Sequence, residues 1–226
     1  MKNLAIITAR SGSKGLRDKN IKLLNGEPLI SYSITVAKDS GMFDEIMVST
    51  DSEIYADIAK KFGASVPFLR SDENSGDKSS SWDVVIEVLK NYKNKGIEFD
   101  TVCLLQPTSP LRISDDIKKG YSLLKDSIDS ITAVCVVDHS PLWCTTLESD
   151  LSLDTFRETL ADVPRQALKQ YYRINGALYI RKIEYVDDKI SVLNCKEKAY
   201  IMPRERSIDL DTELDFRIAE CILKAK

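Results

Sequence analysis

With 226 residues, 43% of them hydrophobic and 30% charged, the chain has the make-up of a globular protein and not of a disordered one. A net charge of -3, from 32 Lys and Arg against 35 Asp and Glu, argues against a general nucleic-acid binder. The single histidine, His139, excludes a zinc site built on paired histidines and leaves any Ser-His-Asp or Cys-His scheme only one residue to use.

Asn3 to Ala9 is a short apolar run that reads as a buried strand, followed by a loop holding Gly12 and Gly15. Pro28 opens a helix with Ile30, Ile34 and Ala37 on one stripe, closed by Gly41. Glu45 to Ser49 is a second strand, and Ser52 to Phe62 a second helix stopped by Gly63. Ser81 to Asn94 is helical, with Val85, Val88 and Leu89 along one face. Thr101 to Leu105 is a third strand, Ser114 caps a helix reaching about Asp126, and Ile131 to Val137 is a fourth strand. The rhythm then breaks from Asp138 to Tyr172, which reads as an insertion on the sheet domain, and regular structure returns at Gly176 to Ile180. Thr212, with Asp215 three residues on, caps a final helix. Strands alternating with helices predict one α/β domain, 1–226, on a mostly parallel sheet, with 138–172 as an excursion.

Five cysteines without CxxC spacing suit a reducing cytoplasm better than a disulfide framework. The apolar run at the N-terminus is too short for a signal segment, and nothing approaches the roughly 20 apolar residues of a membrane span.

Ligands of open parallel sheets bind outside the carboxyl ends of the strands. The loop after the first strand brings Arg10, Lys14, Arg17, Lys19 and Lys22 together in an acidic chain. Gly12 and Gly15 let backbone N–H groups turn toward an anion, which suits a phosphate chain. The alternative is a solvated lysine-rich loop. Neither GxxxxGK[ST] nor GxGxxG is present, so neither a Walker loop nor a dinucleotide fingerprint is expected. Near the C-terminus, Asp209 and Asp211 lie two apart in an extended segment, so their carboxylates face one way. Like charges so placed repel unless a cation such as Mg2+ lies between them. The alternative there is a helix cap at Asp211 or Thr212. Arg165 and Arg173 are able to grip a carboxylate, or else are surface arginines among core tyrosines. His139, beside Pro141 and Trp143, reads as a packing or turn histidine.

Five segments occur in order: Ala9 to Leu16 with Lys19-Asn20, Leu105 to Arg112, Pro164-Arg165-Gln166, Arg173 with Asn175-Gly176-Ala177, and Ile208 to Glu213. On these the chain resembles the cytidylyltransferases that activate acidic sugars, most closely the CMP-N-acetylneuraminate synthetases. The resemblance implies a three-layer sandwich of the nucleotide-diphospho-sugar transferase type with a Rossmann-like sheet. It implies that CTP and a 2-keto acidic nine-carbon sugar give the CMP-sugar and pyrophosphate, with Mg2+ as cofactor. By the same analogy Arg10, Ser13, Lys14 and Lys19 handle phosphates, Asn20 lies near the nucleotide, and Arg70 with Ser79 to Ser81 lies near the cytidine. Gln106, Thr108 and Ser109 would meet the sugar, Arg165 and Arg173 its carboxylate, and Asp209 and Asp211 the metal. Residues 138–172 would form a dimerisation finger, making the enzyme a homodimer with Arg165 and Arg173 reaching partly across the interface.

In-line attack of the anomeric hydroxyl on the α-phosphorus needs positioning and charge neutralisation more than covalent help. Arg10, Lys19 and Asp211 are the residues assigned to catalysis. The proton acceptor is open between Asp211, a hydroxide on the metal and the sugar's own carboxylate. Arg17 stands where sialate synthetases often carry proline, which opens the choice of sugar to legionaminate or pseudaminate. The 3-deoxy-manno-octulosonate enzymes differ in the first loop and rank below these. A non-catalytic nucleotide-binding regulator is opposed by the retained lysines and carboxylates, and an NAD oxidoreductase by the missing glycine fingerprint.

Overall fold

The computed structural model describes residues 1–13, 15–76, 79–147, 149–154, 156, 168–186 and 195–225. Eight strands are described: β1 (Asn3–Thr8), β2 (Leu23–Leu24), β3 (Glu27–Pro28), β4 (Glu45–Ser49), β5 (Thr101–Leu105), β6 (Ser130–Val136), β7 (Tyr172–Lys182) and β8 (Glu197–Ile201). The helices are α1 (Leu29–Ser40), α2 (Glu53–Lys61), α3 (Asp72–Ser75), α4 (Ser81–Asn94), α5 (Ser114–Leu123) and a C-terminal helix (Glu213–Lys224). The main sheet runs β4-β1-β5-β7-β6-β8. Within it β7 is antiparallel to both neighbours, and the other pairings are parallel.

Alternation along β1 builds the layers. Ala5 and Ile7 face Ile30 and Ile34 of α1, Tyr55 and Ala59 of α2, and Ile117 of α5. Leu4 and Ile6 face the other way, against Val84, Val85, Val88 and Tyr92 of α4. A third cluster under the C-terminal helix joins Leu24, Leu29 and Leu111 to Leu210, Phe216 and Ala219.

Elements with strong local signals fall where the sequence puts them. Gly41 ends α1 in the left-handed conformation at φ 63°, and Thr212 forms a capping box with Asp215. Ser114, however, is the first residue of α5 and not its cap. Ile113 holds that place, and its N–H donates to the Asp116 carboxylate at 2.9 Å. The helix stops at Leu123 and not near Asp126, because Leu124 and Ile128 turn back into the core. Strand β7 begins at Tyr172, earlier than Gly176, and β8, α3 and the β2-β3 hairpin had no sequence signal. In β8 only Tyr200 is buried, so no apolar alternation marks it. Of the expected insertion, most of 148–167 lies outside the described residues. The described part holds a short 3-10 turn, Pro141–Trp143, with exposed side chains. His139 is exposed there.

The antiparallel run of β7 matters for the site. Its N-terminal residues stand at the same edge as the C-terminal ends of the parallel strands. A register break sets Val134 opposite Ile174 and Thr132 opposite Tyr179, so Asn175 to Leu178 bulge from the ladder. Gly176 takes φ 75° there, and a Cβ on it would run into the Gln106 side chain.

Candidate active site

Every parallel strand ends at one edge, and the loops there enclose a cleft of about 580 Å3. Its first wall is the loop after β1. Asp51, just beyond β4, accepts from the N–H and the hydroxyl of Ser11, each at 2.8 Å. Asn20 is buried and donates to the Arg10 carbonyl at 3.0 Å. Asp18, in the left-handed region at φ 52°, accepts from the Tyr55 hydroxyl at 2.9 Å. A loop rich in cations is thus pinned from three sides, which orients Arg10, Ser13 and Lys19 along the cleft.

The second wall follows β4. Arg70 is buried and grips Ser49 twice, Nε to Oγ at 3.1 Å and Nη2 to the carbonyl at 2.6 Å. Burial pulls its guanidinium down to about 10, against the opposing pull of Asp51 and Glu87, with Arg10 adding to the fall. Ser79 and Ser81 flank Ser80, the N-cap of α4, and Ser79 donates to Asn74 Oδ1 at 3.0 Å. Glu87 accepts from the Ser71 N–H at 2.8 Å and also from Asn74. These bonds hold the α3 turn beside Arg70.

The floor is Gln106, Pro107 and Thr108, and the far side carries Asp209 and Asp211. The carboxylate segment is stitched to the floor by Leu210 N–H to the Thr108 carbonyl at 2.8 Å. The two carboxylates are unequal. Asp211 is exposed and pairs with Lys19 Nζ at 2.8 Å. Asp209 is half-buried, and its Oδ1 is buried without a hydrogen-bond partner among the described residues. Burial raises the Asp209 carboxyl above its ordinary value, the Asp211 charge adds to that, and Thr108, Lys19 and Arg173 oppose it. A buried carboxylate oxygen without a partner, in a cleft that a second carboxylate also lines, fits a hard divalent cation. Among the described residues no group of three or more His, Cys, Asp or Glu forms a metal cage. A cation here would complete its shell with phosphate oxygens and water, which is how Mg2+ is usually held.

The cleft therefore brings together Arg10, Ser13, Lys19, Asn20, Arg70, Ser79, Ser81, Gln106, Thr108, Asp209 and Asp211. Lys14 and Arg165 lie outside the described residues. Ser109 is not among the lining residues: it is fully buried, and its hydroxyl donates to the Asn175 carbonyl at 3.4 Å, at the start of the bulge. Arg173 stands beside the cleft and not among its lining residues, with Nη2 donating to the Ser207 carbonyl at 2.9 Å. Ser80 lines the cleft with its neighbours Ser79 and Ser81, and Asn74 lines it unforeseen. No motif marks Asn74, whose place in the lining depends on its contacts with Ser79 and Glu87.

The family model for cytidylyltransferases matches residues 4–216. The chain is 35% identical over 226 residues to a CMP-N,N'-diacetyllegionaminic acid synthase of Legionella pneumophila, covering 99% of this chain and 97% of that one. It is 40% identical over 220 residues to an N-acylneuraminate cytidylyltransferase of Streptococcus agalactiae, where it covers 96% of itself but spans only 52% of the relative. A pseudaminic acid cytidylyltransferase of Campylobacter jejuni is 32% identical over 225 residues, 99% of this chain and 97% of that one. Among solved structures, a CMP:2-keto-3-deoxy-manno-octonic acid synthetase complexed with CTP superposes with a TM-score of 0.73 at 16% identity, over 100% of this chain and 99% of that one. That last likeness bears on the fold, and it agrees with the layered α/β sheet described above.

Proposed function

Since the chain belongs to the cytidylyltransferase family, we propose that it transfers CMP from CTP to the anomeric hydroxyl of a 2-keto acidic nine-carbon sugar, N-acetylneuraminate foremost, releasing pyrophosphate. The observation that carries this reading is the pairing, in one cleft, of a pinned cationic loop with a half-buried carboxylate whose Oδ1 has no hydrogen-bond partner among the described residues. The loop suits a polyphosphate and the carboxylate pair suits the cation that accompanies it.

In this reading Arg10, Ser13 and Lys19 cradle the phosphates with loop N–H groups, Lys14 adding to them. Asn20 acts through the loop by holding the Arg10 carbonyl. Arg70, Ser79 and Ser81 form the nucleoside side. Gln106 and Thr108 orient the acceptor, while Arg173 and Arg165 offer guanidinium groups to its carboxylate. Asp209 and Asp211 would hold Mg2+, which when bound neutralises phosphate charge and aligns the α-phosphate with its leaving group.

A second acceptor, N,N'-diacetyllegionaminate, is favoured by one observation: the synthase of that name matches this chain over nearly the full length of both. The experiment is pyrophosphate release from CTP and Mg2+ with a panel of N-acetylneuraminate, legionaminate and pseudaminate derivatives. Release with one or more of them is expected, and the highest kcat/KM names the acceptor. No release with any acceptor, in a protein that binds CTP, would leave a nucleotide-binding regulator in place of the enzyme.

We also place the enzyme in a reducing cytoplasm and expect a homodimer. All five cysteines are free, and no described helix is long and apolar enough to cross a membrane. Leu142, Trp143, Tyr172, Ile174 and Ile201 are between 37% and 61% exposed, and Ile174 and Ile201 flank the same residue of β6, Val134, from either side. Light scattering at micromolar protein is expected to give twice the chain mass, and Ile174→Asp with Trp143→Asp to give a monomer. A monomeric wild type would remove the interface and any role for Arg165 across it.

A further inference from the structure

The segment that carries Asp209 and Asp211 has no regular structure of its own, so something else must fix its position. Asp116, in the first turn of α5, is 1% exposed and accepts four hydrogen bonds. They come from Ile113 N at 2.9 Å, Tyr200 Oη at 2.9 Å, Arg206 Nε at 3.2 Å and Arg206 Nη2 at 2.6 Å. Tyr200 lies in β8, before the connection to the carboxylates, and Arg206 lies three residues before Asp209. Between them the chain wraps into a tight turn: Arg206 N–H donates to the Pro203 carbonyl at 3.2 Å, and Ser207 Oγ to the same carbonyl at 2.8 Å. One residue beyond Asp209, Leu210 is fully buried and bonded to Thr108. Asp209 is thus caught between an ion pair on one side and the cleft floor on the other.

The same carboxylate also serves the floor. Its bond to Ile113 N fixes the chain just after Arg112, which closes the loop that begins at Gln106. Arg112 is itself buried and donates to Ser33 Oγ at 2.6 Å and to the Ala177 carbonyl. One buried charge therefore references both the Thr108 loop and the Asp209 segment to a common point.

We infer that Asp116 is a positioning residue for the carboxylate pair, setting through Arg206 the placement of Asp209 and Asp211 toward a divalent cation. The inference rests on the assignment of those two carboxylates to the metal. Partners that orient metal ligands from behind commonly change affinity by ten- to a hundredfold when removed. The buried pair is bidentate, so geometry matters as well as charge.

The test is direct Mn2+ binding, read by electron paramagnetic resonance, to the full chain with CTP and no acceptor, so that no turnover occurs. Asp116→Asn is expected to weaken Mn2+ about tenfold in a sample still folded at the measuring temperature. Arg206→Lys keeps the charge, loses the two-point grip, and is expected to do the same. The double variant is expected to be no weaker than the worse single one, because both cut one link. Lys182→Met breaks a different shielded pair, Lys182–Asp129 at 3.2 Å, at the opposite edge of the sheet. It is expected to lower the melting temperature without moving Mn2+ affinity.

If Asp209→Asn abolishes binding and Asp116→Asn does not change it, the inference is overturned. Equal weakening in Lys182→Met and Asp116→Asn overturns it too, by reducing the effect to general loss of stability. If Asp209→Asn itself leaves Mn2+ affinity intact, the failure belongs to the metal assignment. Should Asp116→Asn not fold, Tyr200→Phe removes a single donor, and an Mn2+ affinity unchanged there also overturns the inference.

Discussion

Replacing Asp209 by Asn is expected to lower kcat about a thousandfold while leaving the protein as stable as before or more so. The cause lies in the position of Oδ1, buried and without a hydrogen-bond partner among the described residues. An unpartnered carboxylate oxygen in a site that already raises its pKa costs folding free energy. Asn keeps the shape and gives up the charge, so the cost of the buried carboxylate oxygen falls as the site loses its use. If the cation supplies ~4 kcal/mol of transition-state stabilisation, a thousandfold is the loss in rate. The unsubstituted enzyme is expected to lose activity in EDTA and regain it with Mg2+. The measurement is kcat across a Mg2+ titration, beside a thermal melt. Near-wild-type turnover at low Mg2+ would return this segment to the role of helix entry. A larger fall in Asp211→Asn than in Asp209→Asn would assign the proton acceptor to Asp211.

Lys19→Met is expected to separate two quantities that usually move together. Its side chain is 14% exposed and its ammonium lies 2.8 Å from Asp211, which makes it a neighbour both of the carboxylate pair and of incoming phosphates. Without it the carboxylates lose a competing cation, and the Mg2+ concentration for half-maximal activity is expected to fall. Turnover is expected to fall as well, about a hundredfold, since a fixed charge aimed at a transferring phosphate contributes ~2.7 kcal/mol in the transition state. KM for CTP should rise much less than kcat falls. A purely structural loop lysine would leave kcat unchanged in the folded variant, and that result would remove Lys19 from the catalytic group.

The parts legible in the sequence are those whose cause is local. Strand β5 and helix α4 have the predicted ends because an apolar run and a 3.6-residue stripe are bounded by their own turn residues. The capping box of Thr212 and Asp215 is three residues long and carries its own signature. The cations of the first loop stand out because the rest of the chain is acidic. What escaped depends on distance along the chain. Asp51 reaches forty residues back to Ser11, and Asp116 ninety residues on to Arg206. Ser109 follows Thr108 directly, yet one lines the cleft and the other lies beneath it, a choice made by the β7 bulge. Period-two alternation placed Asp209 and Asp211 on one side. It could not tell that Thr108 would draw one inward while Lys19 held the other at the surface.

The reversed direction of β7 also makes the enzyme modular. Val136 pairs with Tyr172, and Val137 N–H donates to the Tyr171 carbonyl at 3.2 Å, so the excursion leaves and rejoins the sheet through one closed stem at the ligand edge. The free energy of closing such a loop grows only logarithmically with its length. A change of length between Val137 and Tyr171 therefore costs the sheet little, because the stem stays closed. The pairings of β1, β4 and β5 do not involve that stem. Transplanting that stretch between two members of the family is then expected to leave the sheet folded, which a thermal melt of the chimera checks.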